Sequence, residues 1–125
     1  MSKILLVGYV QELIEERENV LRSGGHEVTL ATKLQNALQV AQQQVFDLAV
    51  LGFSVPEQER NQLARAIKNN RPNTKIIMLY FARPGHTEFA DVLVQSNVRP
   101  EALLQAVNYI LNNVEKSVDD QQGCC

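Results

Sequence analysis

Phe46-Asp47-Leu48-Ala49-Val50-Leu51-Gly52-Phe53-Ser54-Val55-Pro56 is the stretch whose reading decides the fold. From Phe46 to Gly52 it is apolar except for Asp47, with no alternation of polar and apolar residues. Such a run suits a strand buried on both faces, as in a parallel sheet. Pro56 closes the loop that follows. A second run of this kind, Lys3-Ile4-Leu5-Leu6-Val7, opens the chain, and a third, Lys75-Ile76-Ile77-Met78-Leu79-Tyr80, lies beyond Pro72.

Between these runs the period changes to that of helices. Val10, Leu13, Ile14, Arg17, Val20 and Leu21 are spaced for one helix face, with Glu12, Glu15, Glu16 and Glu18 on the solvated remainder. Ser23-Gly24-Gly25 stops that helix, a glycine supplying the left-handed residue. His26–Leu30 reads as the second strand, and Leu34, Ala37, Leu38 and Ala41 as the second helix, with a polar end at Gln42-Gln43-Gln44. Leu63, Ala66 and Ile67 mark a third helix, which Asn69-Asn70-Arg71-Pro72-Asn73 breaks. Asp91–Val94 reads as a short fifth strand. Pro100 suits the first turn of a last helix, whose buried stripe is Leu103, Leu104, Val107, Ile110, Leu111 and Val114. Strand followed by helix throughout implies an α/β fold with a doubly wound, five-stranded parallel sheet. Only Phe81–Ala90 separates the fourth strand from the fifth. A parallel crossover takes about a dozen residues or more, so the fourth helix is expected to be shortened or missing.

The 125 residues carry 45% hydrophobic and 21% charged residues and a formal net charge of −2. That length suits one domain, expected over 1–115, with 116–125 as a flexible polar tail. The apolar fraction excludes a disordered chain. A pI near 5.7 argues against nucleic acid, whose binding domains usually exceed a pI of roughly 9. No apolar run approaches the roughly 18 residues of a membrane span. The first strand begins too close to Met1 for a signal peptide, so the expected location is the cytoplasm. The two cysteines, Cys124 and Cys125, adjoin one another and cannot staple a core. Gly123-Cys124-Cys125 is similar to some doubly prenylated tails but is not a CaaX box, and an inert tail is expected. His26 and His86 lie far apart with no cysteine near, so no structural metal site is expected. No GxGxxG or GxxxxGK[ST] pattern occurs, and no nucleotide, flavin or other cofactor is expected.

Taken in order, these pieces resemble a response-regulator receiver domain over about residues 3–112. Lys3–Val7 is similar to that family's first strand, Phe46–Pro56 to its third strand and loop, and Ile76–Leu79 to its fourth strand. Arg99-Pro100-Glu101-Ala102-Leu103-Leu104 is similar to the start of its last helix. The resemblance implies the flavodoxin-like strand order 2-1-3-4-5. It also implies a phosphorylation site at the carboxyl edge of the sheet. There an acidic pair after the first strand holds Mg²⁺ and an Asp ending the third strand accepts the phosphoryl group. A Thr or Ser ends the fourth strand, and a Lys follows the fifth.

This chain departs at every one of those positions. The acidic pair falls on Gly8 and Tyr9, the acceptor on Gly52, the hydroxyl on Tyr80, and the Lys on Gln95 or Ser96. Mg²⁺ needs hard oxygen ligands, and acyl-phosphate formation needs a carboxylate nucleophile. Glycine offers neither. Asp47 is five residues back, about 16 Å at roughly 3.3 Å per residue. Glu57 and Glu59 lie in the loop beyond Pro56 with nothing in the sequence to fix them.

The resemblance therefore implies a degenerate receiver, a non-enzymatic two-component signalling module working without phosphorylation through an unknown protein partner. The expected contact surface lies near strands four and five and the last helix, where a homodimer is also plausible. Tyr9, Phe53, Tyr80 and Phe81 gather near the same carboxyl edge. Two readings of these aromatics are open. They form a ligand or partner surface, which would suit a small-molecule sensor, or they fill space left by the missing helix and metal pocket.

Overall fold

The structure, a computed structural model, describes residues 2–80, 91–95 and 101–112. Its elements are β1 (Lys3–Val7), α1 (Gln11–Ser23), β2 (Glu27–Ala31), α2 (Leu34–Gln43), β3 (Leu48–Leu51), α3 (Glu57–Asn70), β4 (Lys75–Tyr80) and β5 (Val92–Gln95). A further helix, α4, spans 101–112. The expected crossover at 81–90, with Phe81 and His86, lies outside the described residues, as does the tail with Cys124 and Cys125. None of the described helices is long and apolar enough to cross a membrane.

The fold is α/β with a parallel sheet. Its strands lie in the order β2-β1-β3-β4, in registers that start at Lys3↔Glu27, Ile4↔Leu48 and Leu48↔Lys75. β5 runs parallel along the free side of β4, from Ile77↔Val92 to Tyr80↔Gln95.

Because side chains alternate along a strand, each buried run feeds two cores. Leu5, Val7, Ala49, Leu51, Ile76 and Met78 face α2 and α3, where they meet Ala37, Ala41, Leu63, Ala64 and Ile67. Ile4, Leu6, Leu48, Val50, Ile77 and Leu79 face α1 and α4, where they meet Ile14, Leu21, Leu103, Val107 and Ile110. Burying one such large aliphatic side chain is worth about 1.5–3 kcal/mol, so both helix layers are anchored. The layers differ in grain. Alanines recur through the α2–α3 core, at 31, 37, 41, 49 and 64, whereas the buried members of the α1–α4 core are larger aliphatics.

Three details differ from the sequence reading. Phe46 and Asp47 precede β3 instead of opening it. The Phe46 carbonyl accepts the hydroxyl of buried Thr74 at 2.7 Å, and Asp47 Oδ2 accepts the Lys3 N–H at 2.9 Å. Asp91 also stands before its strand, where its Oδ2 accepts the Ile76 N–H at 2.7 Å and the Lys68 ammonium at 3.0 Å. On α3 the buried alanine is Ala64, with Ala66 only half-buried, and on α1 Val10 is the exposed N-cap.

Asp47 and Asp91 thus both serve the amino edge of the sheet. At that edge α1 ends as expected, with Gly25 at φ +87°. A methyl on Gly25 would meet nothing within 4 Å, while one on Gly24 would stand 2.5 Å from Leu104 Cδ1. Gly25→Ala is therefore expected to lose about 1–2 kcal/mol from backbone strain alone. Gly24→Ala should lose less, because the atom it meets is the end of a side chain that can turn away. Urea unfolding of the two variants checks this order.

Candidate functional site

Parallel strands all deliver their last residues to one edge, and open α/β sheets take ligands there. At this edge Gly8 and Tyr9 follow β1, Gly52 follows β3, and Tyr80 ends β4 opposite Gln95 at the end of β5. The structure thus brings the five departing positions to the ends of neighbouring strands. Gly8 and Gly52 are buried. The Gly52 N–H donates to the Val7 carbonyl at 2.8 Å, and the Gly8 N–H donates to Ala31 at 3.2 Å. Their backbones continue the ladder one step past the strands and present no side chain at its end.

Tyr9 joins the two neighbouring loops. Its backbone N–H donates to Ser54 Oγ at 2.8 Å, and its phenol donates to Glu59 Oε1 at 2.6 Å. Glu59 sits in the first turn of α3, where a carboxylate also suits the positive end of the helix dipole. It is therefore fixed, contrary to the expectation from sequence. Burial, then the hydrogen bond and charge of Glu59, push the Tyr9 phenol well above its ordinary range. At neutral pH the pair is a neutral donor on an ionised acceptor, one of the stronger hydrogen-bond types.

The residue that the sequence reading passed over is Arg17. It occupies a core position on α1, between Ile14 and Leu21, and is only 7% exposed. Its Cζ lies 5.8 Å from the centroid of the Phe53 ring. A methyl built on Gly52 would stand 3.3 Å from Arg17 Nη1, 3.1 Å from the Val7 carbonyl and 3.6 Å from Gly8 Cα. A guanidinium thus ends beside the position where the resemblance calls for a carboxylate. Desolvation lowers its pKa, partly opposed by the charge of Glu16. The signal was in the sequence, as an arginine in step with the apolar stripe of α1. Across the sheet, Arg60 Nη1 reaches the Leu79 carbonyl at 3.5 Å, near the end of β4.

These residues do not fit a Mg²⁺ site. The positions that would supply carboxylates hold two glycines and a phenol; the Glu59 carboxylate is taken up by that phenol, and the charge beside Gly52 is the Arg17 guanidinium. Among the described residues no group of three or more His, Cys, Asp or Glu side chains could hold a metal ion. Tyr9 packs on the α2–α3 core, and the Phe53 ring lies 5.8 Å from Cζ of Arg17 on α1. Tyr80 is half-buried at the end of β4, and Phe81 lies outside the described residues.

No protein-family model matches the sequence, and no curated protein sequence matches it. Solved structures do match. The chain is similar to a CheY-like response regulator receiver domain protein from Methanospirillum hungatei, with a TM-score of 0.80 and 24% identity, over 94% of this chain and 98% of that one. It is similar to the response regulator TrrA of Thermotoga maritima, solved in complex with Mg²⁺-BeF, with a TM-score of 0.76 and 23% identity, over 87% and 98%. It is also similar to the chemotaxis protein CheY4 of Vibrio cholerae, with a TM-score of 0.76 and 22% identity, over 87% and 98%. At these identities the likeness is one of fold.

Removing the Tyr9 phenol has a signed pH signature. A group whose folded pKa is raised stabilises fully below its unfolded pKa, and the contribution fades as pH rises through that range. Wild type is expected to exceed Tyr9→Phe by about 1 kcal/mol at neutral pH. The difference should shrink above about pH 10, where the unfolded phenol ionises and the folded one does not. Urea unfolding of both proteins at the two pH values measures it.

Proposed function

We propose that the chain is a receiver-like signal-transduction module that works without phosphorylation, by protein–protein contact. The observation that carries this reading is the pairing of Gly52 with Arg17. At the end of β3, where the receiver chemistry needs a carboxylate, there is no side chain, and a guanidinium stands within 3.3 Å of where one would begin. A receiver couples its two loops through the acids and metal between them. In this chain Tyr9, Ser54 and Glu59 join the same loops by hydrogen bonds. The edge is held in one arrangement by its own side chains.

Such a module acts through a surface instead of a reaction, with β5 as the fifth, outer strand of a receiver-type sheet. The contact face we assign is formed by β4, β5 and α4. Leu93 on β5 is 40% exposed and Tyr109 on α4 is 68% exposed, and large exposed apolar groups suit partner or self-association. The small-molecule sensor is the weaker reading, because the Tyr9 phenol is already taken up by Glu59 and the Phe53 ring by the Arg17 guanidinium.

Incubation with Mg²⁺ and a small phosphodonor, followed by intact-mass measurement, tests the phosphorylation-independent part. The expected result is an unmodified chain. A stoichiometric phosphoryl adduct, lost on substitution of one Asp or Glu, overturns it. Light scattering tests the contact face: self-association weakened by Tyr109→Asp and Leu93→Asp supports it, and association unchanged in both variants opposes it.

A further inference from the structure

Arg17 is a buried charge that the packing of the fold does not account for. Taking a guanidinium out of water is costly unless its donors are paired. The contact described for it is the Phe53 ring at 5.8 Å, and a cation on an aromatic face offsets only part of that cost. Glu16, the adjacent residue, is exposed and acts on it only through its charge. Among the described residues Arg17 forms no ion pair. A leucine or methionine would fill the same position on α1 between Ile14 and Leu21 without that cost.

The charged end stands beside the bare ends of β1 and β3, where the Val7 carbonyl, already bonded to the Gly52 N–H, lies 3.1 Å from the point a Gly52 methyl would occupy. Nη1 lies 3.3 Å from the missing side chain of Gly52, and Gly8 Cα is 3.6 Å from the same point. The backbone N–H groups there are already used, by Val7, Ala31 and Ser54. Among the described residues the guanidinium donors are therefore free hydrogen-bonding capacity at the ends of β1 and β3. A second guanidinium, Arg60, stands at the end of β4, and its buried Nε has no acceptor among the described residues. The two cations come from opposite helix layers onto one edge of the sheet, the edge where folds of this kind take ligands.

We propose that this edge is a binding site for a small oxyanion, a carboxylate or phosphate group, held by the Arg17 guanidinium at the ends of β1 and β3. A planar guanidinium matches either group with two parallel donors. The bare glycines leave the fork without a side chain in front of it. Arg60 adds positive potential from the α3 side. The site takes the anion without a metal and without a covalent bond, so it is the reverse in charge of the acidic pocket that the fold resemblance implies.

The test uses the whole chain and three probes: inorganic phosphate, acetate, and chloride at matched ionic strength. Phosphate or acetate is expected to raise the Tm saturably beyond chloride, and the response should be about tenfold weaker in Arg17→Met. Which of the two anions acts more strongly identifies the group the site prefers. Gly52→Asp is the second variant. Its Cβ would stand 3.3 Å from Nη1 and 3.1 Å from the Val7 carbonyl, so its carboxylate should pair with the guanidinium and abolish the response to added anion whatever the crowding does to the Tm. In the wild-type chain the Arg17 Nε–H resonance should move saturably during the titration, a readout that needs no variant to fold. A resonance that stays still, or an equal response in wild type and Arg17→Met, overturns the proposal. A phosphoryl adduct in the previous experiment would overturn the module reading without touching this one, which concerns reversible binding only.

Discussion

The central sheet is dry on both faces, and everything else in the molecule follows from that constraint. Ile4 through Val7, Leu48 through Leu51 and Ile76 through Met78 are all without solvent contact. No polar side chain can sit within these strands without a partner, so chemistry is confined to the two ends. The amino edge uses its acids structurally. Asp47 accepts the Lys3 N–H, Asp91 accepts the Ile76 N–H and the Lys68 ammonium, and Thr74 donates to Phe46. The carboxyl edge has glycines where the strands stop, a tyrosine bonded to a glutamate, and a buried arginine.

Much of the fold was legible because continuous apolar runs and helical spacing are strong signals. β1 and β4 stand where the sequence places them, and α1 ends at the Gly24-Gly25 pair. The strand ends were less legible. Phe46 and Asp91 look like strand residues by composition, but their carbonyl and carboxylate groups are engaged in bonds that tie strand starts together across distant parts of the chain. Those bonds pair residues such as Thr74 and Phe46, 28 positions apart, and no local pattern encodes them.

The site was half legible. That Gly8, Tyr9, Gly52, Tyr80 and Gln95 reach one edge follows from strand order alone. What stands there instead of the acids did not follow. Glu59 looked free because its partner, Tyr9, is 50 residues away in sequence. Arg17 looked like one member of a helix face, because spacing tells which way a side chain points and not what it meets. Its relation to Gly52 exists only once α1 lies across the ends of β1 and β3.

The unequal grain of the two cores has a consequence for how this chain can diverge. Between α2, α3 and the sheet, alanines at 31, 37, 41, 49 and 64 set the spacing, and any larger side chain there must push a whole helix outward. Overpacking of this kind usually costs about 1–3 kcal/mol. Between α1, α4 and the sheet, leucines, isoleucines and valines can trade volume with one another. Sequence drift is therefore channelled: one side of the sheet is a rigid spacer that tolerates little change, and the other, which also carries Arg17, is the side on which new variants can accumulate.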